Sequence, residues 1–373
     1  MRYYLIAGEA SGDLHASNLM KGISRFDNEA EFRFFGGDRM QKAGGTLVRH
    51  YREMAFMGLV DVIAHLRTIT GNLKICKKDI HDFNPDAVIL VDYAGFNLRI
   101  AEFAHKAGFP VFYYISPKVW AWKKSRIKKM RQYTHKIFVI FPFEVDFFRQ
   151  NDLEVEYYGN PLMDSYSAFR RKRPSIQKFR EKNELGKENI IALLSGSREQ
   201  EVRRCLPEML KAATAFPEHR FVIAGTSAVH EEVYQEIIDD HHADLIFDQT
   251  YELLNAATAA VVTSGTATLE TAIFRVPQVV IYKTSRINFA IGKPFINIRF
   301  FSLVNLIADK EVVKELLQFN LAAKIRRELS RILDNKKYRD KMLKEYEGII
   351  HTLGDPGSSE RIAFRITSLV KER

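Results

Sequence analysis

Short runs rich in β-branched and aromatic residues alternate with helix-patterned segments along most of the chain, and that alternation leaves few folds open. Strand, crossover helix and further strand in regular succession build a parallel sheet covered by helices on both faces. One series of strands is expected at residues 3–7, 32–35, 86–91, 111–115 and 137–141, and a second at 190–194, 220–224, 244–247, 259–262 and 278–282. Between them Arg170-Arg171-Lys172-Arg173-Pro174 reads as a charged, proline-terminated linker. The expectation is an α/β protein of two doubly wound domains, 1–168 and 169–352, whose strand ends face a central cleft. After Val312 the pattern turns helical, with Leu316, Ile325, Leu329, Ile332 and Leu333 on a helical period. Gly354-Asp355-Pro356-Gly357 breaks it, and Ser358-Ser359-Glu360 opens a last helix, so that 353–373 packs back on the first domain or on a partner subunit.

The 373 residues are about two and a half times the length of a typical domain of ~150 residues. With 46% hydrophobic residues the chain can build a sizeable core, which excludes disorder. No apolar run approaches the ~18 residues of a spanning helix. Met1-Arg2 leads into an apolar run too short for a secretory signal, so a cytoplasmic protein is expected. Cys76 and Cys205 stand far apart with no C-x-x-C, which argues against a disulfide scaffold or a cysteine zinc site. The net charge of +10 favours an anionic partner: nucleic acid, an acidic membrane surface or a phosphorylated substrate.

Doubly wound sheets bind ligands beyond the carboxyl ends of their strands, so the residues just after each strand carry the functional argument. The first strand is followed by Gly8-Glu9-Ala10-Ser11-Gly12-Asp13, where glycine admits a ligand to the backbone and the next helix offers free N–H groups. The same residues serve equally as a tight turn with Ser11 or Asp13 as a cap. Residues 86–91 run into Asp92, a carboxylate suited to take a proton from a hydroxyl nucleophile, or else a cap. The next strand runs into Ser116-Pro117-Lys118-Val119-Trp120-Ala121-Trp122, which holds both tryptophans, with no acidic residue from Lys118 to Lys136. Aromatics among cations stack bases, bind phosphates or sit at an anionic lipid surface; a solvated basic helix is the plainer reading.

In the second series, Ser195-Gly196-Ser197-Arg198 can hold a diphosphate through backbone N–H groups and a fixed cation. Thr263-Ser264-Gly265-Thr266-Ala267-Thr268-Leu269-Glu270 is a hydroxyl-rich turn that opens a helix. Its N–H groups suit phosphate and Glu270 can accept both hydroxyls of a ribose, against a plain alternative of N-capping. His230-Glu231-Glu232 does not complete H-E-x-x-H and His241-His242 lacks partner ligands in pattern, so no metal and no cofactor is expected. Leu59, Val62, Ile63, Leu66, Ile69 and Leu73 recur at helical spacing, as a face toward lipid or toward the core. Residues 282–305, with Phe289, Phe295, Phe300 and Phe301 among Lys283, Arg286, Lys293 and Arg299, are a comparable candidate.

Ten stretches in order then resemble one family. They are GEASGD at 8–13, GGDRM at 36–40 with Ala43-Gly44, MGLVDVI at 57–63, GFNLR at 95–99, YISPKVWAW at 114–122, FPFE at 141–144, GNPL at 159–162, LLSGSR at 193–198, SGTATLE at 264–270 and SLVNLI at 302–307. Nearly end to end, the sequence resembles the lipid-A-disaccharide synthase family. The resemblance implies a GT-B fold of two Rossmann-like domains, with the donor UDP-2,3-diacylglucosamine in the second and the acceptor 2,3-diacylglucosamine 1-phosphate in the first. It implies inverting, metal-independent transfer to the acceptor 6-hydroxyl, giving a β-1,6-linked disaccharide 1-phosphate and UDP. Asp92 would be the general base, Arg198 with Ser264, Gly265, Thr266, Ala267 and Thr268 the diphosphate site, Glu270 the ribose acceptor and Asn305 part of the donor lining. Gly8, Glu9, Ser11, Gly12, Asp13, Ser116 and Trp120 would border the acceptor side of the cleft. It further implies peripheral association with the cytoplasmic face of the inner membrane, a homodimer with exchanged C-terminal elements and no nucleic-acid partner.

The chain departs from the family pattern in three places. Asp92-Tyr93-Ala94-Gly95-Phe96 stands for the usual D-x-P-D-F, Ser195 for a common proline and Asn160 for a usual histidine. Another GT-B enzyme of UDP-sugars, an N-acetylglucosaminyltransferase or an epimerase, would share the phosphate and ribose turns but not S-P-x-V-W-A-W. A non-catalytic lipid-binding protein would bind substrate without turnover, and a nucleic-acid module would leave Asp92 and Glu270 without a use.

Overall fold

A computed structural model describes residues 1–54, 66–117, 125–172, 175–238, 241–284 and 299–372. The chain divides into two compact units, Met1–Asp164 with Asp355–Arg373, and Ser165–Gly354. The first contains a seven-stranded sheet of β1 (Arg2–Ala7), β2 (Glu31–Gly36), β3 (Thr46–His50), β4 (Ala87–Val91), β5 (Val111–Tyr114), β6 (Lys136–Val139) and β7 (Glu156–Tyr157). They lie in the order β3-β2-β1-β4-β5-β6-β7, all parallel. The second contains β8 (Asn189–Leu194), β9 (His219–Gly225), β10 (Asp244–Phe247), β11 (Ala257–Thr263), β12 (Gln278–Tyr282) and β13 (Glu315–Leu317), parallel in the order β10-β9-β8-β11-β12-β13.

Burial on both faces explains the near-continuous apolar runs of the central strands. In β4 every residue is buried, and its side chains alternate between two cores. Val88 and Leu90 join Tyr4, Ile6 and Tyr113 on one face, where Ile69, Leu73, Cys76 and Ile80 of the helix Leu66–Phe83 pack. Ala87, Ile89 and Val91 join Tyr3, Leu5 and Tyr114 on the other. The helix thus turns Ile69 and Leu73 to the core, while Leu59, Val62, Ile63 and the side chain of Leu66 lie outside what the structure describes.

All ten expected strands form. The three that the sequence reading lacked, β3, β7 and β13, are sheet-edge strands, half-buried and without a continuous apolar run. Leu316 is corrected by this: it belongs to β13, and the helix of the same pattern is Leu321–Asp334, burying Ile325, Leu329 and Ile332.

The last helix, Ser358–Lys371, inserts Ile362, Ala363, Ile366 and Val370 against Ala16, Leu19, Met20 and Ile23 of the helix Ala10–Phe26. Its first turn is held by Asp164, whose carboxylate accepts from the N–H groups of Gly357, Ser358 and Ser359. Asp164 is therefore the last residue of the first unit, whereas Tyr166 and Phe169, in the same helix Pro161–Arg171, pack on Phe274 of the second. The two compact units accordingly divide at 164/165.

In each sheet the strand order reverses once, between β1 and β4 and between β8 and β11. Crevices for ligands form at the carboxyl ends of strands at such switch points.

Candidate functional site

At the first switch point the register pairs Ala7 with Val91 and Val91 with Tyr114, so Gly8, Asp92 and Ile115 emerge side by side. The backbone there is strained. Asp92, Tyr93 and Ile115 have φ of 45°, 48° and 63°, left-handed values that a β-branched residue adopts rarely. Such residues cost about 1–3 kcal/mol each and persist only where their surroundings hold them. The Asp92 N–H donates to the carbonyls of Tyr114 and Ile115, both at 3.2 Å. Its carbonyl accepts from the Tyr113 hydroxyl at 2.6 Å and from Asn97 Nδ2 at 2.9 Å. Tyr93 donates its hydroxyl to the Met54 carbonyl at 2.6 Å and stacks on Phe96. Burial, and then the charge of Glu9, push the Tyr93 hydroxyl up to about 12. Only glycine fits at position 8, because a Cβ there would lie 2.3 Å from the Tyr93 ring.

Around this point Glu9 is half-buried at the start of the helix Ala10–Phe26, Ser11 is exposed and Gly12 is buried. Two of the expected acceptor-side residues make hydrogen bonds within the protein. Asp13 is buried and accepts from the N–H groups of Gly37, Arg39 and Met40, holding the start of the helix Asp38–Ala43. Ser116 is buried and donates to Glu144, whose carboxylate also accepts from the N–H groups of Ile140 and Phe141. Trp120 and the rest of 118–124 lie outside the described residues. Asn160, fully buried, donates to the Ile140 carbonyl and accepts from the Leu162 N–H.

At the second switch point Leu194 pairs with Val262, and Thr263 with Ile281, which aligns the turns after β8 and β11. Gly196 has φ of 120°, and a Cβ on it would meet Glu201 at 2.5 Å. Glu201 underlies this turn, accepting from the Ser197 N–H at 3.0 Å and from Arg198 at 3.2 Å. Ser264 donates its N–H to the Ile281 carbonyl and its hydroxyl to the Phe301 carbonyl. Gly265 precedes the helix Thr266–Ile273 and has no side chain to cap it; Thr266 and Ala267 are half-buried in the first turn. Glu270, half-buried, accepts from the Tyr251 hydroxyl at 2.9 Å; burial raises its carboxyl above the usual range, with Tyr251 pulling the other way.

Two of the expected donor-site residues likewise make hydrogen bonds within the protein. Thr268 is fully buried, with its hydroxyl on the Gly265 carbonyl at 2.8 Å. Asn305 is fully buried. Its Nδ2 donates to the Val313 carbonyl and to Glu315, and its Oδ1 accepts from the N–H groups of Val312 and Val313. Lys283 pairs with Glu208 at 2.7 Å, and Arg286, Phe289, Lys293 and Phe295 lie outside the described residues. Among the described residues no group of three or more His, Cys, Asp or Glu is placed to hold a metal ion.

Asn97, Tyr113 and Tyr251 were not expected at these strand ends. Asn97 stands in the quoted GFNLR, but only the pairing of β4 with β5 reveals what Tyr113 meets, and nothing local in the sequence marks Tyr251.

Two parallel α/β units, each with a strand-end site at its switch point, define the class: this is the GT-B fold. Solved structures share it across the chain. The UDP-GlcNAc 2-epimerase of Neisseria meningitidis, bound to UDP-GlcNAc, aligns with a TM-score of 0.68 at 14% identity, covering 99% of this chain and 100% of that one. CalG4, the calicheamicin glycosyltransferase, aligns with a TM-score of 0.62 at 15% identity, covering 100% and 99%. Within that class, the family described as lipid-A-disaccharide synthetase matches residues 3–361, and the chain belongs to it. Lipid-A-disaccharide synthases of Syntrophus aciditrophicus and Nitrosococcus oceani are 38% and 34% identical to it. The first match covers 99% of this chain and 97% of the relative, the second 96% and 94%. Membership makes the chain a UDP-sugar-dependent glycosyltransferase of lipid A biosynthesis, as the ten motifs implied.

Proposed function

We propose that Asp92 is the general base of an inverting transfer of 2,3-diacylglucosamine from UDP to the 6-hydroxyl of 2,3-diacylglucosamine 1-phosphate. The observation that carries this reading is the Asp92 backbone: left-handed, at the end of a buried central strand at a switch point, and bonded through both its N–H and its carbonyl. Asp92 takes the 6-hydroxyl proton as that oxygen attacks the anomeric carbon, the bond from that carbon to the diphosphate oxygen breaks, and UDP leaves with the electron pair. Arg198 and the turn from Ser264 to Ala267 stabilise the leaving diphosphate, the arginine by charge and the turn by the N–H groups that open the helix Thr266–Ile273. Glu270 accepts the ribose hydroxyls. Glu9 and Ser11 border the acceptor.

Acylated substrates and a net charge of +10 support peripheral attachment to the anionic cytoplasmic face of the inner membrane. Among the described residues no helix is long and apolar enough to cross a membrane. The same reading includes a homodimer that exchanges the last helix, which within one chain packs on the helix Ala10–Phe26.

The test is UDP release in detergent micelles from a UDP-2,3-diacylglucosamine, with and without the acylated glucosamine 1-phosphate. Release is expected to require the acceptor, and Asp92→Asn should lower kcat by about 10²–10⁴-fold while UDP affinity is retained. Equal losses of rate and UDP affinity would make Asp92 structural. No release from a folded, UDP-binding wild type would remove the reaction.

A further inference from the structure

We propose that Tyr113 and Asn97 are positioning residues for the transfer: together they hold the Asp92 peptide in its left-handed conformation and thereby aim its carboxylate. The inference rests on Asp92 as the base. Asp92 lies one residue beyond Val91, the last residue of β4 in register with β1 and β5. Two buried side chains donate to its carbonyl. Tyr113 stands on the adjacent strand, fully buried, and gives its single hydroxyl proton to that carbonyl at 2.6 Å. Burial, and then the Asp92 charge, hold the hydroxyl well above its ordinary range, so it remains a donor throughout the working pH range. Asn97, fully buried in the helix Ala94–Lys106, reaches the carbonyls of Asp92, Val91 and Ile6 at 2.9, 3.2 and 3.4 Å. One amide thus ties the ends of β1 and β4 to the residue that bears the base.

Both donors converge on the same oxygen, and both are buried. What they control is the peptide between Asp92 and Tyr93, flanked on each side by a left-handed residue that is not glycine. Losing either donor loosens the Asp92 carbonyl, which fixes ψ of Asp92 and φ of Tyr93, and lets the left-handed turn that carries the Asp92 side chain relax toward ordinary backbone values.

Tyr113→Phe removes one oxygen atom and leaves the packing. It is expected to lower kcat about tenfold to a hundredfold, the scale of a displacement near 1 Å at a reacting group, with KM for both substrates within about twofold. In the Asp92→Asn background the same substitution should produce no further loss, since it acts through a carboxylate already removed. Equal losses in both backgrounds, or a raised KM with kcat intact, would overturn the proposal in favour of a general structural role. Asn97→Ala, kept folded as judged by circular dichroism, should show the same dependence on Asp92 and provides the test should Tyr113→Phe not fold. If Asp92→Asn itself keeps wild-type turnover, the base assignment has failed and this proposal falls with it. If Asp92→Asn loses turnover while Tyr113→Phe does not, only the positioning has failed.

Discussion

The two switch points solve opposite problems with opposite materials. At the ends of β4 and β5, residues with full side chains, Asp92, Tyr93 and Ile115, are forced into left-handed backbone and held by buried donors from elsewhere. At the ends of β8 and β11 the turns are made of Ser195, Gly196, Ser197, Ser264 and Gly265, with the left-handed position at Gly196 given to the one residue that takes it without strain. A group that moves a proton must be a side chain with a fixed direction, so the first site accepts strain to fix one. A group that surrounds a diphosphate needs backbone N–H and room, so the second site removes side chains. On the proposed reading the first unit carries the chemistry and the second the diphosphate.

Three substitutions press on it. Arg198→Ala has the largest expected effect of these, a loss of UDP affinity of about tenfold to a hundredfold by calorimetric titration, on the scale of a charge-assisted hydrogen bond. Unchanged affinity would leave the second site without its cation. Glu270→Gln tests whether a carboxylate in that unit is kept for ligand at a cost to the fold. The Glu270 carboxyl is raised above its ordinary 4.5, so the unfolded chain ionises first, and stability present below pH 4.5 is lost as pH rises through the folded value. The substitution should flatten that slope in urea denaturation series and leave the protein at least as stable at neutral pH. An unaltered slope would mean that Glu270 ionises freely in the folded state. Gly95→Asp is the mildest. A Cβ at Gly95 meets nothing within 4 Å, and the first turn of its helix holds no acid. A gain of a few tenths of a kcal/mol in helix propensity is expected in chemical denaturation, with about 0.3–1 kcal/mol from the helix dipole. A loss instead would show that the first site has no room for the second carboxylate of the family pattern.

The strands were legible wherever both faces are covered, because β1, β4, β8 and β11 must be apolar at nearly every position. β3, β7 and β13 were not, since a half-covered edge strand leaves no such run. Asp92, Arg198 and Glu270 could be picked out because they follow strands, and position relative to a strand end is readable. Whether a polar residue there serves a ligand or the fold is not readable. Asp13, Ser116, Thr268 and Asn305 have the residue types of a binding site, and each hydrogen-bonds to backbone or side-chain groups that the sequence does not reveal. Tyr113 escaped for the converse reason: on β5 it looks like one more core aromatic, and its hydroxyl matters only because β4 lies alongside.

The helix Ser358–Lys371 closes a core whose other side is the helix Ala10–Phe26, with all of Ser165–Gly354 between them in the chain. On the ribosome the first unit is therefore begun first and finished last. Its opening segment waits on the order of ten to forty seconds at ordinary elongation rates, with the slot for Ile362, Ala363, Ile366 and Val370 unfilled, while the second unit is made. For that interval the nascent chain exposes a ready-made apolar groove, a substrate for chaperones, and a strand-end site complete in sequence before it is complete in structure.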